Sequence, residues 1–199
     1  MDNSFDTVDD KLAETEFFLS KMAEAGIDVF AFKCYLSAYL SSARTCTLAL
    51  QQFRDVIPGF DPWYEPHRRR LQANPTARFL LEARNKHVHG GPYPVAGARF
   101  YKSVAEYRFE AFKGHEPASD DIVTACRDHF VLLLDVVYDC YVKLGIHIDP
   151  QQYYTKEHLG SIDAVETEVR GFVCESLIEE GFDEDARWYE LRACGREHG

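Results

Sequence analysis

Residues 29–53 read VFAFKCYLSAYLSSARTCTLALQQF. Phe32, Leu36, Tyr39, Ala43 and Leu50 fall three, four or seven residues apart, the period that lines one face of an α-helix. Asp28 stands just ahead of the run as an N-cap. Ser37, Ala38, Ser41, Ser42 and Ala43 are small enough to let a second helix approach closely. A helix this long with an apolar stripe needs partners, and the flanking segments supply more helices.

Upstream, KLAETEFFLSKMAEA (11–25) places Leu12, Glu16, Leu19 and Ala23 at helical spacing, with Asp9 or Asp10 as cap and Gly26 as stop. Downstream, PGFDPWYEP (58–66) reads as a Pro-rich break whose aromatics pack as a lid on the helices. A third helix is expected from Asn74 or Thr76, with Pro75 in its first turn, through TARFLLEARNKHV to a stop at Gly90, Gly91 and Pro92. The segment ARFYKSVAEYRFEAFK (98–113) mixes alternation with aromatics and admits a β-hairpin or an irregular arm as well as a helix. Ser119 or Asp120 caps a fourth helix, DIVTACRDHFVLLLDVVYDCYVKLG. Its apolar face is Ile122, Cys126, Phe130, Leu133, Val137 and Tyr141, and Gly145 is its stop. SIDAVETEVRGFVCESLIEEG (161–181) and EDARWYELRACG (184–195) read as shorter acidic helices.

The expected fold class is therefore all-α. It comprises an antiparallel four-helix bundle over residues 1–148 and an acidic helical extension over 149–199 packed on the same domain. At 199 residues the chain is long enough for one sizeable core. The acidic N-terminus lacks the basic and apolar regions of a signal peptide, and no charge-free apolar run reaches the length of a membrane span. A cytoplasmic location without membrane partners is expected. The six cysteines, at 34, 46, 126, 140, 174 and 194, form no Cys-x-x-Cys pair and read as buried reduced thiols.

The net charge of -11 opposes nonspecific nucleic-acid coating, because backbone affinity comes from Lys and Arg. Its distribution is uneven. Between His67 and His87 lie Arg68, Arg69, Arg70, Arg78, Arg84 and Lys86 against Glu82 alone, a local balance of +5. From Asp149 onward thirteen carboxylates face five cations. The basic strip could hold a small polyanion or pair with the acidic tail, and counting leaves both open.

There is no Gly-x-Ser-x-Gly elbow, no phosphate loop ahead of Lys-Ser or Lys-Thr, and no His-Glu-x-x-His. His87 and His89 diverge by about 200° on a helix, and no carboxylate pair completes a metal site, so no metal or cofactor is expected. What remains is ARNKHVHGG (83–91), where Arg84, Asn85 and His89 close an amphipathic helix. The same Arg-to-His spacing class recurs at Arg108–His115 and Arg192–His198, so spacing alone is weak. Only Arg84 is followed by a polar residue and ends an amphipathic helix.

The run ETEFFLSKM, FKCYLSAYLSSARTCTLAL, FDPWYE and RFLLEARNKHVHGG resembles the HEPN superfamily over roughly residues 10–95. Active members of that superfamily are metal-independent ribonucleases that dimerise so that two Arg-x4-His motifs line one cleft. The resemblance implies Arg84, Asn85 and His89 as catalytic residues, with His89 in acid-base work, Arg84 steadying the phosphate and Asn85 orienting the histidine or the scissile group. Lys86, Arg78 and Arg68, Arg69 and Arg70 would contact the RNA backbone, or else form a solvated or salt-bridged surface. His87 reads as an exposed or capping histidine. The implied partners are an RNA substrate, a second copy of the chain and an antitoxin, and the implied role is that of a toxin or abortive-infection effector. Related toxins silenced by adenylylation carry a tyrosine two residues after the histidine; here that position is Gly91 and the nearest tyrosine is Tyr93. A noncatalytic module that dimerises or binds a nucleotide or protein is the alternative.

Arg84 and His89 lie about 140° apart on an ideal helix, so they share a face only where the last turn unwinds.

Overall fold

The structure is a computed structural model that describes residues 5–101, 104–110, 119 and 121–148. Contacts divide the chain into two units, Met1–Tyr138 and Asp139–Gly199. The description below concerns the first, with the last turns of α5. The described residues are mostly helical, with one small two-stranded sheet.

Helix α1 spans Asp6–Glu24 and starts a turn earlier than its sequence suggests, since no side chain caps it. Asp6 and Asp9 instead place negative charge in the first turn, where the helix dipole favours it. The buried face is Val8, Thr15, Leu19 and Met22; Glu16 and Ala23, expected on it, are exposed. Helix α2, Val29–Gln51, begins where expected, with the Asp28 carboxylate accepting from the Ala31 N–H at 2.9 Å. All five positions of its predicted stripe are buried. The short turn after Gly26, where φ is +55°, folds α2 back along α1. Small residues meet there as expected, and the hydroxyls of Thr15 and Ser42 approach to 3.1 Å.

The Pro-rich break is shorter than expected, confined to residues 56–59. After a 3-10 turn at Gln52–Asp55, helix α3 runs through Phe60–Ala73 with Pro66 in its interior. Pro66 removes one backbone hydrogen bond at a cost of about 3 kcal/mol. Burial offsets it: Phe60 and Tyr64, one turn apart, are both buried with stacked rings at 5.4 Å. Gly59, at φ +80°, makes the sharp entry that a Cβ would strain. The aromatics are thus the buried face of a helix and not a lid on others.

Helix α4, Pro75–Val88, is capped by the Asn74 side chain, which accepts from the Ala77 N–H at 2.9 Å. The segment open to several readings is a hairpin. Strand β1, Val95–Tyr101, pairs antiparallel with β2, Val104–Phe109, with Arg99 opposite Glu106 and an irregularity between Val95 and Gly97. β2 buries Tyr107 and Phe109 in the core, while β1 only packs Val95 against it. Helix α5, Ile122–Ile148, is capped by Asp121, whose carboxylate accepts from the Thr124 N–H; Asp120 lies outside the described residues. Gly145 does not stop it. The extension expected over 149–199 lies outside the described residues.

One core joins α1, α2, α4, β2 and α5. Phe32, Leu36 and Tyr39 of α2 meet Phe79 and Leu80 of α4, Tyr107 of β2 and Ile122 and Cys126 of α5. Cys46 and Cys126 behave as small hydrophobes, and burial pushes the Cys46 thiol up to about 12. Cys174 and Cys194 lie outside the described residues. Among the described residues, no helix is long and apolar enough to cross a membrane.

Candidate functional site

The end of α4 is decided by its backbone. His89 is the C-cap, Gly90 follows at φ +90°, the Gly90 N–H donates to the His87 carbonyl at 3.2 Å, and the Gly91 N–H donates to the Lys86 carbonyl at 2.9 Å. That pair of bonds is a Schellman motif. The last turn therefore stays wound through Val88, and Arg84 and His89 keep the angular separation of an ideal helix. Gly91 is close-packed against the turn: a Cβ there would meet the Lys86 carbonyl oxygen at 2.6 Å. Gly91→Ala is expected to destabilise the fold by about 1–3 kcal/mol in urea unfolding and to shift the amide resonances of residues 86–91.

The side chains of the motif consequently divide. His89 is exposed at the helix end. His87 is half-buried, its Nδ1 3.3 Å from the Gly91 carbonyl oxygen and its ring 4.3 Å from that of Tyr93, which makes it part of the helix terminus. Lys33 stands 6.0 Å over the same Tyr93 ring. Arg84 turns the other way, into a cleft of about 340 Å³ among α2, α3, α4 and the first turns of α5. Its Nη1 donates to the Asn85 Oδ1 at 3.4 Å, and its Nε is buried with no hydrogen-bond partner. Leaving a buried donor of a charged group unmade costs about 1–3 kcal/mol or more.

Among the described residues Arg44, Arg68, Arg78 and Arg84 line this cleft, and no Asp or Glu does. Arg68 is compensated from outside it. Glu65 accepts from Arg68 at 2.8 Å and from Arg69 at 2.7 Å, and those two hydrogen bonds hold its carboxyl down to about 2. Arg70 reaches Asp135 at 3.5 Å. The Arg68–Arg70 run is thus a salt-bridged surface, while Arg78, exposed on α4, has no carboxylate partner among the described residues. Lys86 is exposed beside the motif.

Two cleft residues carry no motif signal. Arg44, beside the apolar stripe of α2, donates to the Thr47 hydroxyl at 3.3 Å. Its charge favours the Tyr64 phenolate, against the burial that raises that phenol overall. His129 is a lone histidine on the apolar face of α5. Burial lowers it to about 4, so it is neutral near pH 7. The Tyr39 hydroxyl donates to the Cys126 carbonyl at 2.6 Å and lies 3.0 Å from the His129 Nδ1. A hydroxyl has one hydrogen, so Nδ1 carries the proton between those two rings, which leaves Nε2 as an acceptor on the ring that lines the cleft. No cluster of three metal-ligating side chains occurs among the described residues.

Residues 3–116, more than half the chain and the whole span from α1 to the hairpin, match the family of bacteriophage lambda protein ea47. The chain belongs to that family. No curated protein and no solved structure matches it. The matched span of the ea47 family includes Arg44, Arg68, Arg78 and Arg84 and ends before α5, so His129 enters the cleft from outside it.

Proposed function

We propose that this ea47 family member is a metal-independent endoribonuclease of the HEPN type, built on a four-helix bundle and working as a homodimer. The observation that carries the reading is the unpartnered Nε of Arg84, a buried cationic donor one residue from Asn85 and five from His89. Attack by an RNA 2'-hydroxyl needs a proton acceptor, a donor for the leaving oxygen and cations facing the phosphorane charge. Arg84 supplies a cation with an unused, buried hydrogen-bond donor. His89, exposed at the helix end, supplies acid-base chemistry. Their divergence within one protomer is the reason two chains are needed: His89 of one copy meets a phosphate held by Arg84 of the other. Lys86 and Arg78 contact the flanking backbone. The role proposed with it is that of a toxin or abortive-infection effector, active in the cytoplasm and restrained by an antitoxin.

One observation favours a second reading, a noncatalytic HEPN module. Arg84 points into a cleft of its own protomer while His89 stays outside it.

RNA cleavage in EDTA separates the two. The wild type is expected to cut, and Arg84→Ala and His89→Ala, each folded by circular dichroism, are expected to lose about a hundredfold or more in rate. A wild type inert on varied RNAs would favour the noncatalytic module, and variants that cut equally well would remove Arg84 and His89 from the active site.

A further inference from the structure

We infer that His87 is the proton acceptor of the site, a second histidine working beside His89 at the same helix end. The inference rests on the nuclease reading and names the group that reading lacks, since attack by a 2'-hydroxyl needs an acceptor as well as a donor. His87 Nδ1 lies 3.3 Å from the Gly91 carbonyl oxygen. A carbonyl oxygen only accepts, so Nδ1 carries the hydrogen of the neutral ring and Nε2 keeps its lone pair. That Nε2 has no hydrogen-bond partner among the described residues. It is also open to solvent: among the described residues, the Arg84 Nε is the one buried side-chain nitrogen or oxygen without a partner.

Everything that orients the His87 ring is itself held. The Gly91 N–H is tied to the Lys86 carbonyl at 2.9 Å, which fixes the carbonyl that His87 meets. The Tyr93 ring lies 4.3 Å from the imidazole, and the Tyr93 carbonyl accepts from the Val95 N–H at 2.8 Å. Lys33 of α2, 6.0 Å from the same phenol ring, adds a cation of the sign that a phosphodiester needs. His89 has no such frame. Its backbone N–H donates to the Asn85 carbonyl, and its exposed ring makes no side-chain hydrogen bond among the described residues. The oriented ring suits the acceptor, which has to be in place before the attacking oxygen moves. The 2'-hydroxyl proton passes to the His87 Nε2 as the 2'-oxygen bonds to phosphorus. The bond from phosphorus to the 5'-oxygen breaks, and that oxygen takes a proton from the His89 imidazolium.

Two measurements on the full chain test this. Nitrogen NMR of the labelled protein reads the tautomer without any substrate, and the neutral His87 ring is expected to carry its hydrogen on Nδ1. A hydrogen on Nε2 would overturn the inference whatever the protein does to RNA. RNA cleavage in EDTA is then compared across two variants. His87→Asn places an amide N–H where Nδ1 stood, so it keeps the bond to Gly91 and loses only the group that takes a proton. It is expected to retain the amide resonances of residues 86–91 and to cut about a hundredfold more slowly. His87→Ala is expected to lose as much and to recover part of its rate when free imidazole is added. A rate lost in His87→Ala but kept in His87→Asn would make the residue a helix-terminus contact and overturn the inference. Cleavage lost in His89→Ala and kept in His87→Asn would overturn this inference alone, and a wild type inert on RNA would overturn the nuclease reading with it. Cleavage lost in His87→Asn but kept in Arg84→Ala would uphold His87 and remove Arg84 from the site.

Discussion

Phe32→Ala is expected to lower unfolding stability by about 3–5 kcal/mol, read as a fall in the urea midpoint with an unchanged slope. Phe32 is fully buried, and its ring lies flat against that of Tyr107 at 3.6 Å and 9°. This contact holds the hairpin to the helices, because β1 is almost entirely exposed and β2 buries only Tyr107 and Phe109. The Tyr107 hydroxyl also donates to the Gly26 carbonyl at 2.8 Å, tying the same strand to the turn between α1 and α2. Removing Phe32 therefore opens a cavity at the junction of three elements. Tyr107→Phe keeps the stacking and loses only that hydrogen bond, so about 1 kcal/mol is expected. In a double-mutant cycle, Phe32→Ala and Tyr107→Ala should be strongly non-additive, since each removes the other's partner. Additive losses would show that the hairpin is not anchored there.

The second large effect is a dependence on pH. His129 titrates near 4 in the folded protein against about 6.5 in the unfolded chain, because burial disfavours the imidazolium. Below 6.5 the unfolded chain takes up a proton that the folded one refuses until about 4. Stability is thus untouched by this group above pH 6.5, falls as pH drops from 6.5 to 4, and levels off below that. A shift of this size corresponds to a loss of about 3 kcal/mol across the window. The depressed Glu65 carboxyl acts in the same direction but at lower pH, between its ordinary range and about 2, and is exposed. Burial raises both Tyr39, which lies against His129, and Cys126, so these titrate on the alkaline side. Urea unfolding at pH 7.5, 6, 5 and 4 measures the slope, and His129→Gln is expected to flatten it. A slope unchanged in that variant would assign the acid sensitivity to carboxylates.

Both effects involve residues whose partners are remote in sequence. Phe32 was legible as a core position, but its stacking on Tyr107 was not, because the segment around Tyr107 alternates weakly and fits strand or helix equally. His129 was hidden in the apolar stripe of α5, where a lone histidine resembles any satisfied core residue. Arg44 is one of two cations, with Lys33, in the mostly apolar α2. Neither carries a local pattern that points to a shared cleft.

What the sequence determined by itself was local. The period of α2, the Asp28 and Asn74 caps and the glycine stop after His89 are set within a turn or two of chain, by side-chain spacing, short hydrogen bonds and the freedom of Gly90 at positive φ. Tertiary structure decided the rest. Burial of Phe60 and Tyr64 carried α3 through a proline that a local reading treats as a break. The same packing chose which side of α4 faces inward and so sent Arg84 into the cleft and left His89 at the surface. A motif fixes residues along the chain. The face each one presents depends on what the helix packs against, and that energy comes from segments far away in sequence.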